Sequence, residues 1–200
     1  RGPTNPQSAK TSPWVAPLVG IGGSAGAIPA LQAFLRSLPP QSGIAYAVVL
    51  HLAAERESMV AEILQRSTSM RVLQVNEALK VQPDTVYVIP PGKALQSADG
   101  YLQLADLDRV PGKRMAVDLF FRGLADTHGP HAGAVVLSGG DGDGAIGIKR
   151  NKERGGLTVA QDPTEAEHDG MPRAAISAGL IGWGLPVDEV ADQGLGYFPL

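Results

Sequence analysis

Four stretches of the chain run apolar with almost no polar interruption: 15–21, Ile44–Leu50, Thr85–Ile89 and Ala132–Leu137. A strand with one wet face alternates polar and apolar side chains, so runs without alternation predict strands covered on both faces. Between them apolar residues fall at helical spacing. Ala25–Ser37 carries Ile28, Leu31, Phe34 and Leu35, with Pro29 in its first turn and Pro39 and Pro40 after its end. Ser58–Arg66 is predicted helical with Met59, Ile63 and Leu64 inward, and Val117–Ala125 with Leu119, Phe120 and Leu124. Further helices are expected after Gly144, to about Arg154, and over Met171–Ala178. Shorter strands are predicted at Arg71–Val75, Leu157–Ala160 and Leu180–Leu185, and a hairpin over Ala94–Leu104 turning at Asp99-Gly100. Strands alternating with helices predict an α/β fold: a doubly wound, mostly parallel sheet with flanking helices and a β-hairpin, a Rossmann-like three-layer sandwich.

Three of the buried strands end in residues with chemistry. The first stops in a glycine turn around Ser24, the second at His51, and the third in Ser138–Gly144, which carries Asp141 and Asp143. Parallel strands put these ends on one sheet edge, where such sheets bind ligands. A serine hydroxyl needs a base to take its proton, and the base needs a partner to orient it. Ser24 as nucleophile, His51 as base and one of the two aspartates as the orienting acid fit those needs. The amides near Ala25 and Gly140 are candidate oxyanion donors. Each residue also has a plain reading: Ser24 as a turn former, His51 as a surface residue, the aspartates as caps for the next helix. His128, His131 and His168 lack such placement and read as surface residues. The first turn also fits the dinucleotide pattern Gly-x-Gly-x-x-Ala through Gly20, Gly22 and Ala25. That pattern wants an acid at the end of the second strand, and His51 stands there.

Composition narrows the classes. The 200 residues carry a net charge of -3, which gives no basic surface for nucleic acid or anionic membrane. With no cysteine there is no disulfide, thiolate zinc site or cysteine nucleophile. The four histidines show no metal-ligand spacing, so neither a metal nor a cofactor is expected. Nothing approaches the roughly 20 apolar residues of a membrane helix. The expected location is the cytoplasm. Residues 1–14 are polar with Pro3, Pro6 and Pro13, predicting a disordered arm or linker. The start at Arg1 suggests a piece of a longer protein.

The blocks GIGGSAGAIPAL, VVLHL, DTVYVIPPGKAL, VDLFFRGLA, VVLSGGDGDGAIG and GGLTVAQDPTEAEHDGMPRAAISAGL resemble the catalytic domain of the chemotaxis receptor methylesterase family, CheB. The resemblance implies a methylesterase domain over 15–195 that hydrolyses glutamyl methyl esters on chemoreceptor-type proteins, releasing methanol, with possible glutamine deamidation. It implies Ser24 as nucleophile, His51 as base and Asp143, directly before Gly144 and Ala145, as the orienting acid. Asp141 and Met171 fall near the site without an assigned role. The chain departs from the family pattern at Ala25, where threonine is common. It departs again in the third turn, where Thr-Gly-Met-Gly is replaced by Ser138, Gly139, Gly140 and Asp141. A second carboxylate there is expected to raise the Asp143 pKa or compete for His51. The implied partner is a methylated chemoreceptor or related signalling protein. Blocks such as VVLHL resemble the branch fused to methyltransferase and sensor-kinase modules. The competing expectations are a weakly active regulatory domain of such a fusion and a nucleotide-binding domain.

Overall fold

Each of the four predicted buried runs forms a strand with every residue buried: β1 (Leu18–Gly23), β2 (Ala45–Leu50), β5 (Thr85–Val88) and β8 (Ala132–Val136). The computed structural model describes residues 16–98, 100–106 and 115–179, with 185–186, 189 and 198. With β3 (Arg71–Gln74) and β9 (Leu157–Ala160) these strands form one six-stranded parallel sheet, ordered β3-β5-β2-β1-β8-β9. Strand β1 is central, with β2 on one side and β8 on the other. The order reverses there, which opens a crevice beyond the carboxyl ends of those strands.

The two-residue period of the strands divides the core into two layers. Val19, Ile21, Tyr46, Val48 and Val135 meet Leu31, Phe34 and Leu35 of α1 (Ala27–Ser37) and Val60 and Leu64 of α3 (Val60–Gln65). On the other face Ala45, Ala47, Ala132 and Ala134 meet Val117, Phe120, Phe121 and Leu124 of α4 (Ala116–His128). Helices α5 (Ala145–Glu153) and α6 (Gly170–Gly179) cover that same face through Ile148, Met171 and Ala175. The small residues of this face let α4 lie close. A Cβ on Gly20 would stand 2.9 Å from Phe120 Cε1, and one on Gly22 would overlap Val117 Cγ1.

The predicted hairpin is β6 (Lys93–Ala98) and β7 (Tyr101–Asp106). A short strand that the pattern did not predict, β4 (Leu79–Lys80), joins β7 to make a second, antiparallel sheet. A single helical turn, α2 (Ala54–Glu57), follows His51 and was also not predicted. Two expectations are corrected. Met59 precedes α3 and is 53% exposed, while Val60 takes the inward position. His128 is buried rather than superficial; burial and the nearby His131 lower its pKa to about 4. The arm over 1–14, Asp99 and the loop 109–114 lie outside the described residues. Of the strand expected at 180–185 only Leu185 is described, and it bridges Gln161 in parallel.

Candidate active site

Strand β1 ends where its neighbours leave no room for side chains. A Cβ on Gly23 would come within 2.6 Å of the Ala27 Cβ, so the backbone turns tightly into α1. Gly26 makes that turn at φ 79, a left-handed conformation that favours glycine. The Ser24 amide donates to the Ser138 carbonyl at 2.9 Å, and the Ser24 carbonyl accepts from the Ala27 amide at 3.1 Å. Ser24 is thereby held between β1 and the start of α1, 8% exposed.

His51 follows β2, and its amide donates to the Gly23 carbonyl at 3.0 Å, tying it to the serine turn. Glu57 secures the next residue by accepting from the Leu52 amide at 3.1 Å. Ser24 and His51 both line one cleft of about 540 Å³, with Ala25, Arg56, Glu167 and His168 among its other walls. Among the described residues the Ser24 hydroxyl and the His51 ring make no hydrogen bond to each other or to Asp143. Catalytic hydrogen bonds commonly tighten only when substrate is bound.

The third turn holds Asp143 beneath this edge, outside the cleft lining. Its carboxylate accepts from the amides of Val117 at 3.2 Å and Asp118 at 2.9 Å, at the amino end of α4. Asp143 is only 2% exposed, and that burial pushes its carboxyl up to about 6. The two amides pull the other way, and the charges of Asp141 and Asp118 add to the rise. Asp141 thus acts in the direction its sequence position suggested, although burial is the larger cause. It also accepts from the Asp143 amide at 2.9 Å, shaping the turn itself. Asp118 is wholly buried and ion-paired to Arg122, and it accepts from the Gly147 amide at 2.5 Å.

Ala25 and Gly140 are both exposed, and among the described residues neither amide has an acceptor. Met171 is buried behind Gly139: a Cβ there would overlap its sulfur and reach 2.8 Å from the Ser24 hydroxyl. The sequence did not mark Arg56, Glu167 or Ser138 as site residues, and it read His168 as an ordinary surface position. Arg56 follows His51 in an unpredicted turn. Glu167 and His168 reach the cleft from a loop whose path no periodicity reports. The one available signal was the identity of Ser138, a hydroxyl residue opening the third glycine turn.

The description of the CheB methylesterase family matches residues 19–193. The chain is 32% identical over 188 residues to the protein-glutamate methylesterase FrzG of Myxococcus xanthus, covering 92% of this chain and 56% of FrzG. It is 38% identical over 131 residues to an uncharacterised 104.1 kDa protein of Rhodobacter capsulatus, covering 66% of this chain and 14% of that protein. The fold is similar to the crystal structure of the Thermotoga maritima CheB methylesterase catalytic domain. The TM-score is 0.83 at 23% identity, over 92% of this chain and 100% of that one. The chain belongs to the CheB methylesterase family, a family of carboxylic ester hydrolases.

Proposed function

We propose that this domain hydrolyses glutamyl methyl esters on a chemoreceptor-type signalling protein, with Ser24, His51 and Asp143 as its catalytic triad. The observation that carries this is the shared cleft of Ser24 and His51 at the carboxyl ends of β1 and β2. The Ser24 oxygen attacks the ester carbonyl while His51 takes its proton. The tetrahedral oxyanion is met by the amides of Ala25 and Gly140. Collapse breaks the bond to methoxide, which leaves as methanol with the proton from His51. A water molecule, deprotonated by His51, then releases the glutamate and restores Ser24. Glutamine deamidation at the same centre would release ammonia by the same two steps.

Asp143 is the acid that orients His51. A carboxylate accepts about four hydrogen bonds, and the two α4 amides leave capacity for an imidazole N–H. No described helix is long and apolar enough to cross a membrane. We place the domain in the cytoplasm, and within residues 15–195.

A second reading keeps the same site as a weakly active regulatory domain of a longer protein bearing methyltransferase or kinase modules. The match to a small part of a 104.1 kDa protein favours it. So does the engagement of the Asp143 carboxylate by α4 amides. The deciding experiment measures methanol released from a methylated receptor fragment. The esterase reading expects turnover that falls about 10³-fold or more in Ser24→Ala. A folded wild type with no release beyond that variant would leave the regulatory reading in its place.

A further inference from the structure

We propose that Ser138 is a positioning residue of this centre: its hydroxyl clamps the Ser24–Gly26 turn and holds the Ala25 amide where the oxyanion develops. The proposal rests on Ser24 being the nucleophile.

Ser138 is wholly buried at the end of β8 and joins three segments. Its hydroxyl donates to the Ala25 carbonyl at 2.7 Å and accepts from the His168 amide at 2.9 Å. The His168 carbonyl stands 3.3 Å away as the alternative acceptor. Through the backbone, Ser138 accepts from the Ser24 amide at 2.9 Å and donates to Gln161 Oε1 at 3.0 Å. A Cβ on Gly26 would lie 2.7 Å from the Ser138 hydroxyl, so the turn is fitted closely around it.

Peptide geometry turns these contacts into a claim about the Ala25 amide. That amide shares a plane with the Ser24 carbonyl, which accepts from Ala27. In a trans peptide the N–H and C=O point in opposite directions, so the Ala25 N–H points away from the Ala27 amide. The next peptide plane is fixed through the Ala25 carbonyl by the Ser138 hydroxyl. Both planes flanking the Ala25 Cα are therefore held, while its N–H has no acceptor among the described residues. Oxyanion donors are effective because they are fixed before charge develops. The Ala25–Gly26 peptide is the central plane of the turn that the Ala27 amide closes onto the Ser24 carbonyl, so removing the hydroxyl loosens that turn and, with it, the plane that carries the Ala25 N–H. The cleft wall keeps its other ties: Gly139 N–H to the His168 carbonyl at 3.0 Å, and Met171 N–H to the Gly139 carbonyl at 2.8 Å. The loss belongs in kcat more than in KM.

The test compares Ser138→Ala and Ser138→Thr with wild type. Amide exchange is read by NMR at Ser24, Ala27 and His168, and kcat and KM are read from methanol release. Ser138→Cys, slightly larger and a weaker donor, takes the place of the alanine variant if that variant does not fold. Ser138→Ala is expected to speed exchange at these amides and to lower kcat about tenfold or more. KM is expected to stay within about threefold, since substrate binding is not what is lost. Threonine is expected to restore both. Unchanged exchange, unchanged kcat, or a threonine variant as impaired as alanine would each overturn the proposal. If the wild type released no methanol beyond Ser24→Ala, the proposed function would fail, and the clamp would still stand or fall on exchange.

Discussion

At the scale of single residues, Asp143 carries opposing demands. To serve as the proposed orienting acid of His51 it must be ionised, yet burial raises its pKa from 3.8 to about 6. A carboxyl raised on folding is bound to its proton more tightly in the native state. Its contribution to stability is therefore present at low pH and lost as pH climbs through about 6. Activity is expected to move the opposite way, rising as Asp143 ionises. The shift corresponds to about 3 kcal/mol between the two forms. Denaturant unfolding of wild type and Asp143→Asn across pH 4 to 7 checks this. Relative to the variant, wild-type stability should decline over that interval while wild-type kcat/KM increases. Taking the difference removes His128, whose lowered pKa gives stability the opposite slope in the same interval. A flat difference would mean that Asp143 is not strained by its burial. The placement of Ser24, His51 and the aspartates on one edge was legible because each follows a buried strand. The two hydrogen bonds that Asp143 accepts from α4 were not, since they join residues 26 and 25 positions apart. Nor was the burial of His128, a residue at the end of a helix whose last turn gave no apolar signal.

At the scale of elements, the serine turn is placed by the contact between β1 and α4. Gly20 and Gly22 point into that helix, and a methyl on Gly22 would overlap Val117. Val117 in turn donates its amide to Asp143. Gly22→Ala is therefore expected to push α4 away from the sheet and to disturb the Asp143 anchor with it. Overpacking of this kind costs about 1–3 kcal/mol, visible as a lower Tm, with a larger fractional loss of activity than of stability. An alanine variant with wild-type Tm and turnover would show that α4 does not need this close approach. The buried strands and the long helices were readable from uninterrupted apolar runs and 3.6-residue spacing. Strand β4 was not, because two residues with one half-buried and one exposed side chain carry no period. The start of α3 was placed two residues early, at Ser58, because Met59 and Val60 are both apolar and only packing selects which of them turns inward.

At the scale of the whole molecule, the candidate site follows from strand order. Placing β1 between β2 and β8 brings residues 24, 51 and the 138–144 turn to one edge, although more than a hundred residues separate the first from the last. Parallel direction alone predicted a shared edge; direct adjacency of the three strands is what the structure adds. The loop 161–169 then closes one side of the cleft with Glu167 and His168, a placement set by tertiary contacts to Ser138 and Gly139. The central claim is that this edge activates the Ser24 hydroxyl through His51. It is tested most directly by treating the folded domain with a fluorophosphonate, which captures activated serines, and mapping the adduct by mass spectrometry. The account predicts a single adduct on Ser24 that forms about 100-fold more slowly in His51→Gln. An adduct on a different serine, or one on Ser24 whose rate ignores His51, would contradict it.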